Sequence, residues 1–320
     1  MSVCRLVRLL ETGQYQHCLN EALALLETGG VTDREQARIY GAICRCRLEL
    51  GNSREAELIG LHALSLADGA EDADLLAPIL IDVGRARMRL RRYASALEAW
   101  EQYERLLPEM TAAQCQEGWV GRQKAEALHR LGETNRALEA YAAAGRWFER
   151  FGDQASVRAC QRAMIDIHLS RGDLKRVRRL LAEGDRRMAD ADRTFRTDHL
   201  LDWASYLLAS GRPALAAGRA FSGLEQSTGL EQQSRAQMIL CQAALQQEKP
   251  VEAFAFALAA RVSAIEGSHY SLEFDAAEVI FRLLRLHGSD LLDEVAADFE
   301  RQGVNIYDYL SELAVRRCLT

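Results

Sequence analysis

The stretch RRYASALEAW at residues 91–100 returns as GETNRALEAY at residues 132–141. In both, a turn precedes Ala-Leu-Glu-Ala and then a large aromatic, Trp100 or Tyr141. A phrase written twice at a fixed distance marks a repeated supersecondary unit, and that limits the fold more than any bulk property. Taking the short turns as anchors extends the series to Gly13, Gly51, Arg91, Gly132, Gly172, Gly211, Glu248 and Gly288, with gaps of 37 to 41 residues. Each anchor ends one helical run and precedes another by a residue or two. Glycine suits that place because it accepts the left-handed conformation that closes a helix.

Stepping outward from the anchors exposes a stripe. Five residues on stand Cys18, Ala56, Ala96, Ala137, Val177, Ala216 and Ala253; nine on stand Ala22, Gly60, Trp100, Tyr141, Leu181, Ala220 and Ala257. Seven before the turn stand Cys44, Gly84, Ala125, Ala204 and Cys241. Steps of three and four trace one helical face. Small residues on that face let two antiparallel helices approach closely, and the aromatic fills the space toward a neighbour. Each unit is then a helix hairpin that buries its face only by stacking on the next. The composition agrees: Ala, Leu, Arg and Glu dominate, there are only 4 Pro, and no segment shows the alternation of a strand. The chain is expected to be all-α.

This set of offsets resembles the tetratricopeptide repeat family. The fullest copy, VGRARMRLRRYASALEAWEQYERLLP at residues 83–108, carries Gly84, Tyr93, Ala96, Trp100 and Pro108 where that motif places its signature residues. The likeness covers most of the chain, strongly from about residue 37 to 262. The period here is near 40 residues, against about 34 in the common repeat, so the chain resembles a long-helix form. HEAT-type repeats share the longer period but lack the small-small-aromatic stripe. The resemblance implies an α-α superhelix, a right-handed solenoid of about seven or eight hairpins across residues 1–303. The last unit departs from the pattern, with Asp293 and Glu300 where small residues are expected, although Phe281, Leu284 and Val295 keep it amphipathic. After it, residues 304–320 are expected to form a capping helix with Ile306, Tyr309, Leu310 and Leu313 on one stripe.

Catalytic and metal signatures are missing from the sequence. It has no phosphate-cradling GxxxxGK[ST], no GxGxxG, no HExxH, no GxSxG and no aspartate-rich cluster for magnesium. Cys44 and Cys46 are two residues apart, so on a helix they diverge by about 200° and cannot share a metal; packing is the better reading. TDHLLDW at residues 197–203 brings Asp198, His199 and Asp202 close together, a pattern typical of inter-helix hydrogen bonds. DGAEDADLL at residues 68–76 reads as an inter-hairpin loop with acid favouring the next helix start. The chain is expected to need no cofactor or metal and not to be an enzyme.

A formal charge of −6 gives no overall attraction to nucleic acid or anionic lipid. No apolar run approaches the ~20 residues of a membrane span. The N-terminus lacks a signal peptide, so the eight scattered Cys read as reduced thiols and the chain as cytoplasmic. Lys124, Lys175 and Lys249 are the only lysines, leaving Arg as the default cation.

In the tetratricopeptide family the first helix of each hairpin lines a concave groove. Carried onto this chain, that implies an inward face bearing Arg38 and Arg45, then Arg85, Met88 and Arg89, then Trp119, Arg122 and His129, then Arg162. Guanidinium groups grip carboxylates in two-pronged fashion, so such a groove suits an acidic or C-terminal peptide. The family's chaperone-tail binders use a Lys and Asn set that is absent here, and that function is not carried over. The expected partner is a protein or peptide, held by a non-catalytic scaffold or adaptor. The alternative is a cytoplasmic sensor of signalling peptides. The first repeat starts close to Met1, so such a sensor is expected to act on a separate protein rather than on DNA.

Overall fold

The computed structural model describes residues 3–67, 72–110, 116–186, 188, 191–267 and 269–301. All regular structure among them is helical. The first four hairpins are α1 (Val3–Glu11) with α2 (Tyr15–Glu27), α3 (Asp33–Glu49) with α4 (Ser53–Ala67), α5 (Ala73–Arg89) with α6 (Tyr93–Leu106), and α7 (Glu117–Arg130) with α8 (Thr134–Arg150). They are followed by α9 (Gln154–Ser170) with α10 (Leu174–Asp185), α11 (Arg193–Ala209) with α12 (Pro213–Gln226), α13 (Leu230–Gln246) with α14 (Pro250–Glu266), and α15 (Tyr270–Arg301). Pro108 ends the α6 run in a short 3-10 turn at Leu107–Glu109.

All eight anchor residues have positive φ, from 58° at Arg91 and Glu248 to 89° at Gly51. At seven of them the following residue donates its N–H to the carbonyl five back, as in Asn52 to Arg47 at 2.8 Å, Arg92 to Arg87 at 2.8 Å and Glu133 to Leu128 at 2.9 Å. That is the Schellman closure, which satisfies the last carbonyls of each first helix. Arg91 and Glu248 adopt the same conformation without glycine's freedom. The eighth anchor, Gly288, has φ 66° and ψ −152° and kinks α15 into two helical segments. Helix starts are equally explicit. Thr32 and Glu35 form a reciprocal capping box on α3, and Asp72 caps α5 by accepting from Leu75 N.

The chain divides within α9 into two compact units, Met1–Ile167 and His168–Thr320. In the first, Cys18, Ala56, Ala96 and Ala137 are wholly buried, as are Val177, Ala216 and Ala253 in the second. At the Gly51 and Arg91 turns the residues seven before and nine after meet and share a fixed space. Gly84 faces Trp100 and Gly60 lies against Cys44. Ala125 and Tyr141 are buried at the same two positions of their hairpin, as are Ala204 and Ala220 in the second unit. Opposite Trp100 and Tyr141 the facing residue is small, Gly84 or Ala125, whereas the Gly172 turn has Ile165 and Leu181 at the two positions.

First helices also pack on one another: α1 with α3, α3 with α5, α11 with α13, and α13 with α15. Among the described residues no pair of second helices packs comparably, so the first helices form the inner face of each stack. The tetratricopeptide-like reading holds: this is an all-α helical-repeat solenoid.

The last unit differs from expectation. Phe281 is 73% exposed, and the buried stripe runs instead through Ala276, Ile280 and Leu283. Residues at i, i+4 and i+7 share a face, and Phe281 falls about 100° round from Ile280. The α14 residues Ala257 and Leu258 pack with that stripe and so select it. Beyond the kink Leu291 and Ala296 are buried and Asp293 is exposed, so the stripe avoids the acidic position. The expected cap at residues 304–320 lies outside the described residues.

Candidate functional site

The inner face of the first unit is a ladder of charges joining consecutive first helices. Arg45 of α3 donates its Nε to both carboxylate oxygens of Asp82 on α5, at 2.6 and 2.7 Å. Arg85 of α5 reaches back to Glu49 on α3 at 2.7 Å and to Asp82 at 3.3 Å. Arg89 bonds the Leu48 carbonyl and lies 3.9 Å from Glu49. At the top, Arg34 holds Asp72 through Nε at 2.8 Å, with Arg38 farther off at 4.0 Å. The Asp82 side chain is only 4% exposed, so its charge is spent inside the face rather than offered to solvent.

The nine residues assigned to the inward face therefore separate by partner. Arg45, Arg85 and Arg89 are engaged by acids or carbonyls of the neighbouring repeat. Arg38 has one long contact. Met88 and Trp119 are half-buried against the core, and the Arg85 guanidinium lies 5.9 Å over the Trp119 ring. Arg162 is half-buried and partnered. His129 is half-buried, and burial, then Arg130, holds its imidazole below the usual range. Arg122 stands apart: its Nε is buried without a hydrogen-bond partner, and it makes no ion pair among the described residues.

Register explains the exception. Residues that meet across the α3–α5 step lie 34 to 41 apart, with Glu49 and Arg85 at 36 and Arg45 and Asp82 at 37. The residues 36 and 37 beyond Arg122 are Arg158 and Ala159, so the carboxylate near it is instead Asp153 at the start of α9, which acts through space without a hydrogen bond to Nε. The acids Glu49, Asp72 and Asp82 are the part of the site that a one-repeat reading omits. The signal is their spacing from the arginines, visible only when two repeats are aligned with an offset.

At the N-terminal end, α1 packs on α3 and with α5 borders a half-open cavity of about 340 Å³. Leu6, Leu10, Ala42, Leu75, Pro78 and Ile79 form its apolar walls, and the Arg45–Asp82 pair lies at its polar side.

The second unit has its own ladder: Arg235 of α13 pairs with Asp202 of α11, and Gln232 donates to Asp198 at 3.0 Å. His199 meets Asp185 at 2.7 Å, and Trp203 Nε1 also donates to Asp185, at 3.1 Å. The TDHLLDW residues are thus inter-helix hydrogen-bonding groups. Cys44 donates to the Ala56 carbonyl at 3.1 Å, and burial, then Asp82, pushes its thiol up to about 12. Burial, then Cys18, pushes Cys46 up as well. Both are packing residues, as their spacing implies. No group of three or more His, Cys, Asp or Glu placed to hold a metal occurs among the described residues, and none of their helices is long and apolar enough to cross a membrane.

Repeated helix hairpins with Schellman turns, a small-residue stripe and first helices lining the inner face define a tetratricopeptide-like repeat protein. Solved structures with the same fold include the apo form of the quorum sensor NprR from B. thuringiensis, at TM-score 0.63 and 12% identity, covering 90% of this chain and 82% of that one. NprR in complex with its cognate peptide NprX matches at TM-score 0.61 and 12% identity, over 94% and 87% of the two chains. A Rap protein complexed with Competence and Sporulation Factor matches at TM-score 0.57 and 13% identity, over 99% and 94%. No protein-family model matches the sequence, and no curated protein does.

Proposed function

We propose that this chain is a non-catalytic peptide-binding module whose first unit takes an acidic or C-terminal peptide segment across α3, α5, α7 and α9. The observation that carries the reading is Arg122, a guanidinium on the inner-face helix α7 whose buried Nε has no hydrogen-bond partner, Asp153 acting on the group only through space. An unpaired buried donor on an arginine is costly, and a ligand carboxylate would satisfy it with a charge-assisted bond. Trp119 offers an apolar surface one turn away, and Arg38 is the other loosely held cation. Arg45, Arg85 and Arg89 shape the face and hold its repeats in register. The fold shared with peptide complexes of NprR and of a Rap protein supports a peptide as the occupant.

The test is an array of synthetic peptides in matched sets, acidic or neutralised, with free or amidated C-termini. The wild type should retain a subset enriched in carboxylates; Arg122→Glu should lose it, and Arg122→Lys should keep part of it. Identical retention by wild type and Arg122→Glu, with both folded, overturns the reading.

A second reading is a peptide sensor that regulates a separate protein. It is favoured by the match to NprR both apo and with its peptide. A sensor would change its scattering profile when a retained peptide is added, whereas an adaptor would not.

A further inference from the structure

The cavity between α1, α3 and α5 is a second recognition element of a different chemistry. Its walls are side chains of three helices: Leu6 and Leu10 from α1, Ala42 from α3, and Leu75, Pro78 and Ile79 from α5. Val7, 51% exposed, stands at its opening. The polar groups within reach are closed on each other, since Arg45 Nε takes both oxygens of Asp82. A volume of about 340 Å³ exceeds the ~150 Å³ apolar cavity that admits a benzene ring. It accommodates a leucine- or phenylalanine-sized side chain with part of its flanking backbone.

The rim adds a charge preference. Arg34 and Arg38 share one carboxylate, Asp72, and the nearer Arg34 holds it. Asp74, also lining the cavity, already has a partner. Arg38, with its 4.0 Å contact to Asp72 and the charge of Glu35 one turn away, is therefore only loosely held at the mouth. We propose that this cavity seats one large apolar side chain of the bound peptide, with the carboxylate of an adjacent acidic residue on Arg38. The inference rests on the peptide-binding reading and adds to it a specificity pocket more than one repeat from Arg122.

The experiment uses the full chain, methyl-labelled, and three blocked dipeptides: acetyl-Leu-Asp-amide, acetyl-Ser-Asp-amide and acetyl-Leu-Asn-amide. At millimolar concentration acetyl-Leu-Asp-amide should give saturable methyl shifts at Leu6, Leu10, Leu75 and Ile79. The serine analogue should give none, and the asparagine analogue should bind several-fold more weakly. Arg38→Gln should abolish the difference between Asp and Asn. Val7→Trp, a change at an exposed position that should not disturb folding, should occlude the mouth and remove the shifts. Absence of saturable shifts, or shifts unchanged in Val7→Trp, overturns the pocket. Its failure is separable from that of the general reading: array binding lost in Arg122→Glu, with no dipeptide shifts, removes the pocket alone. Dipeptide shifts at these methyls with no peptide retained on the array would remove the Arg122 reading alone.

Discussion

A Cβ placed on Gly84 would lie 2.2 Å from Nε1 of Trp100. The two residues stand seven before and nine after the same turn, and the indole fills the volume that glycine leaves. The twin phrases of the sequence differ at this point in a coordinated way: Trp100 faces a glycine, while Tyr141 shares its hairpin with Ala125. Gly84→Ala should lower stability by about 1–3 kcal/mol through overpacking, and Trp100→Ala by about 3–5 kcal/mol through the cavity it leaves. Trp100→Phe should cost less than Trp100→Ala, because the buried indole N–H has no partner to lose. Ala96→Arg, at a wholly buried position, should be worse than Gly84→Ala, since it adds a buried charge to the overpacking. Thermal and urea unfolding check the order; an unchanged melting temperature for Ala96→Arg would contradict the repeat assignment.

The Arg45–Asp82 pair is a clamp between repeats, and breaking one half should be harsher than removing both. Asp82→Ala leaves Arg45 with only the charge of Glu49 on a half-buried face and should cost about 3 kcal/mol. Arg45→Met with Asp82→Leu, two apolar residues of similar volume, should recover most of that loss. A double-mutant cycle by urea unfolding measures the coupling, and additive effects would show that the two groups act independently.

Two histidines make stability pH-dependent. Burial holds both His129 and His168 below the usual imidazole range. A depressed pKa means that the unfolded chain takes up protons first as pH falls. Their contribution is therefore fully present above the unfolded value of about 6.5 and is lost as pH falls through the lower folded values. His129→Gln and His168→Gln should each flatten the slope of stability against pH below neutrality. Urea midpoints across that range give the slopes, and unchanged slopes in both variants would contradict the assignment.

The thiols divide by accessibility. Cys4 is exposed, whereas Cys18, Cys44, Cys46, Cys160 and Cys241 are buried. Burial raises Cys160 and Cys241 to about 11 and Cys44 to about 12, leaving almost no thiolate at neutral pH. Native alkylation mapped by mass spectrometry should label Cys4 quickly and spare these five until the chain is denatured. Rapid labelling of Cys44 or Cys46 would contradict their packing role.

The turns, the period and the buried stripe are legible in the sequence because they are local. A Schellman turn needs one positive-φ residue, and even Arg91 and Glu248 betray themselves by falling on the period. The partners of the groove arginines are not local. Arg45 finds Asp82 across a repeat boundary because consecutive first helices are offset by about one helical turn, and that offset is a property of packing. Treating each repeat alone makes the arginines look free; aligning two repeats with the offset pairs them and leaves Arg122 over. The cavity was hidden for a related reason, since α1 contributes Leu6 and Leu10 from a helix whose packing partner is not written in its own pattern. Phe281 misleads because a degenerate repeat offers two apolar stripes, and only contact with α14 selects between them.

The charge ladder also distributes mechanical compliance. Between α3 and α5 the carboxylates Glu49, Asp72 and Asp82 fasten one repeat to the next at three heights. From α5 to α7 the polar inner-face contact among the described residues is Arg85 lying over the Trp119 ring, beside apolar packing, a softer and less directional link. A bending load on the first unit would thus be carried stiffly through its second and third hairpins and yield at the third-to-fourth step. Arg122 and Trp119 sit on α7, at that step, so a ligand bound as proposed would have its greatest leverage on curvature there.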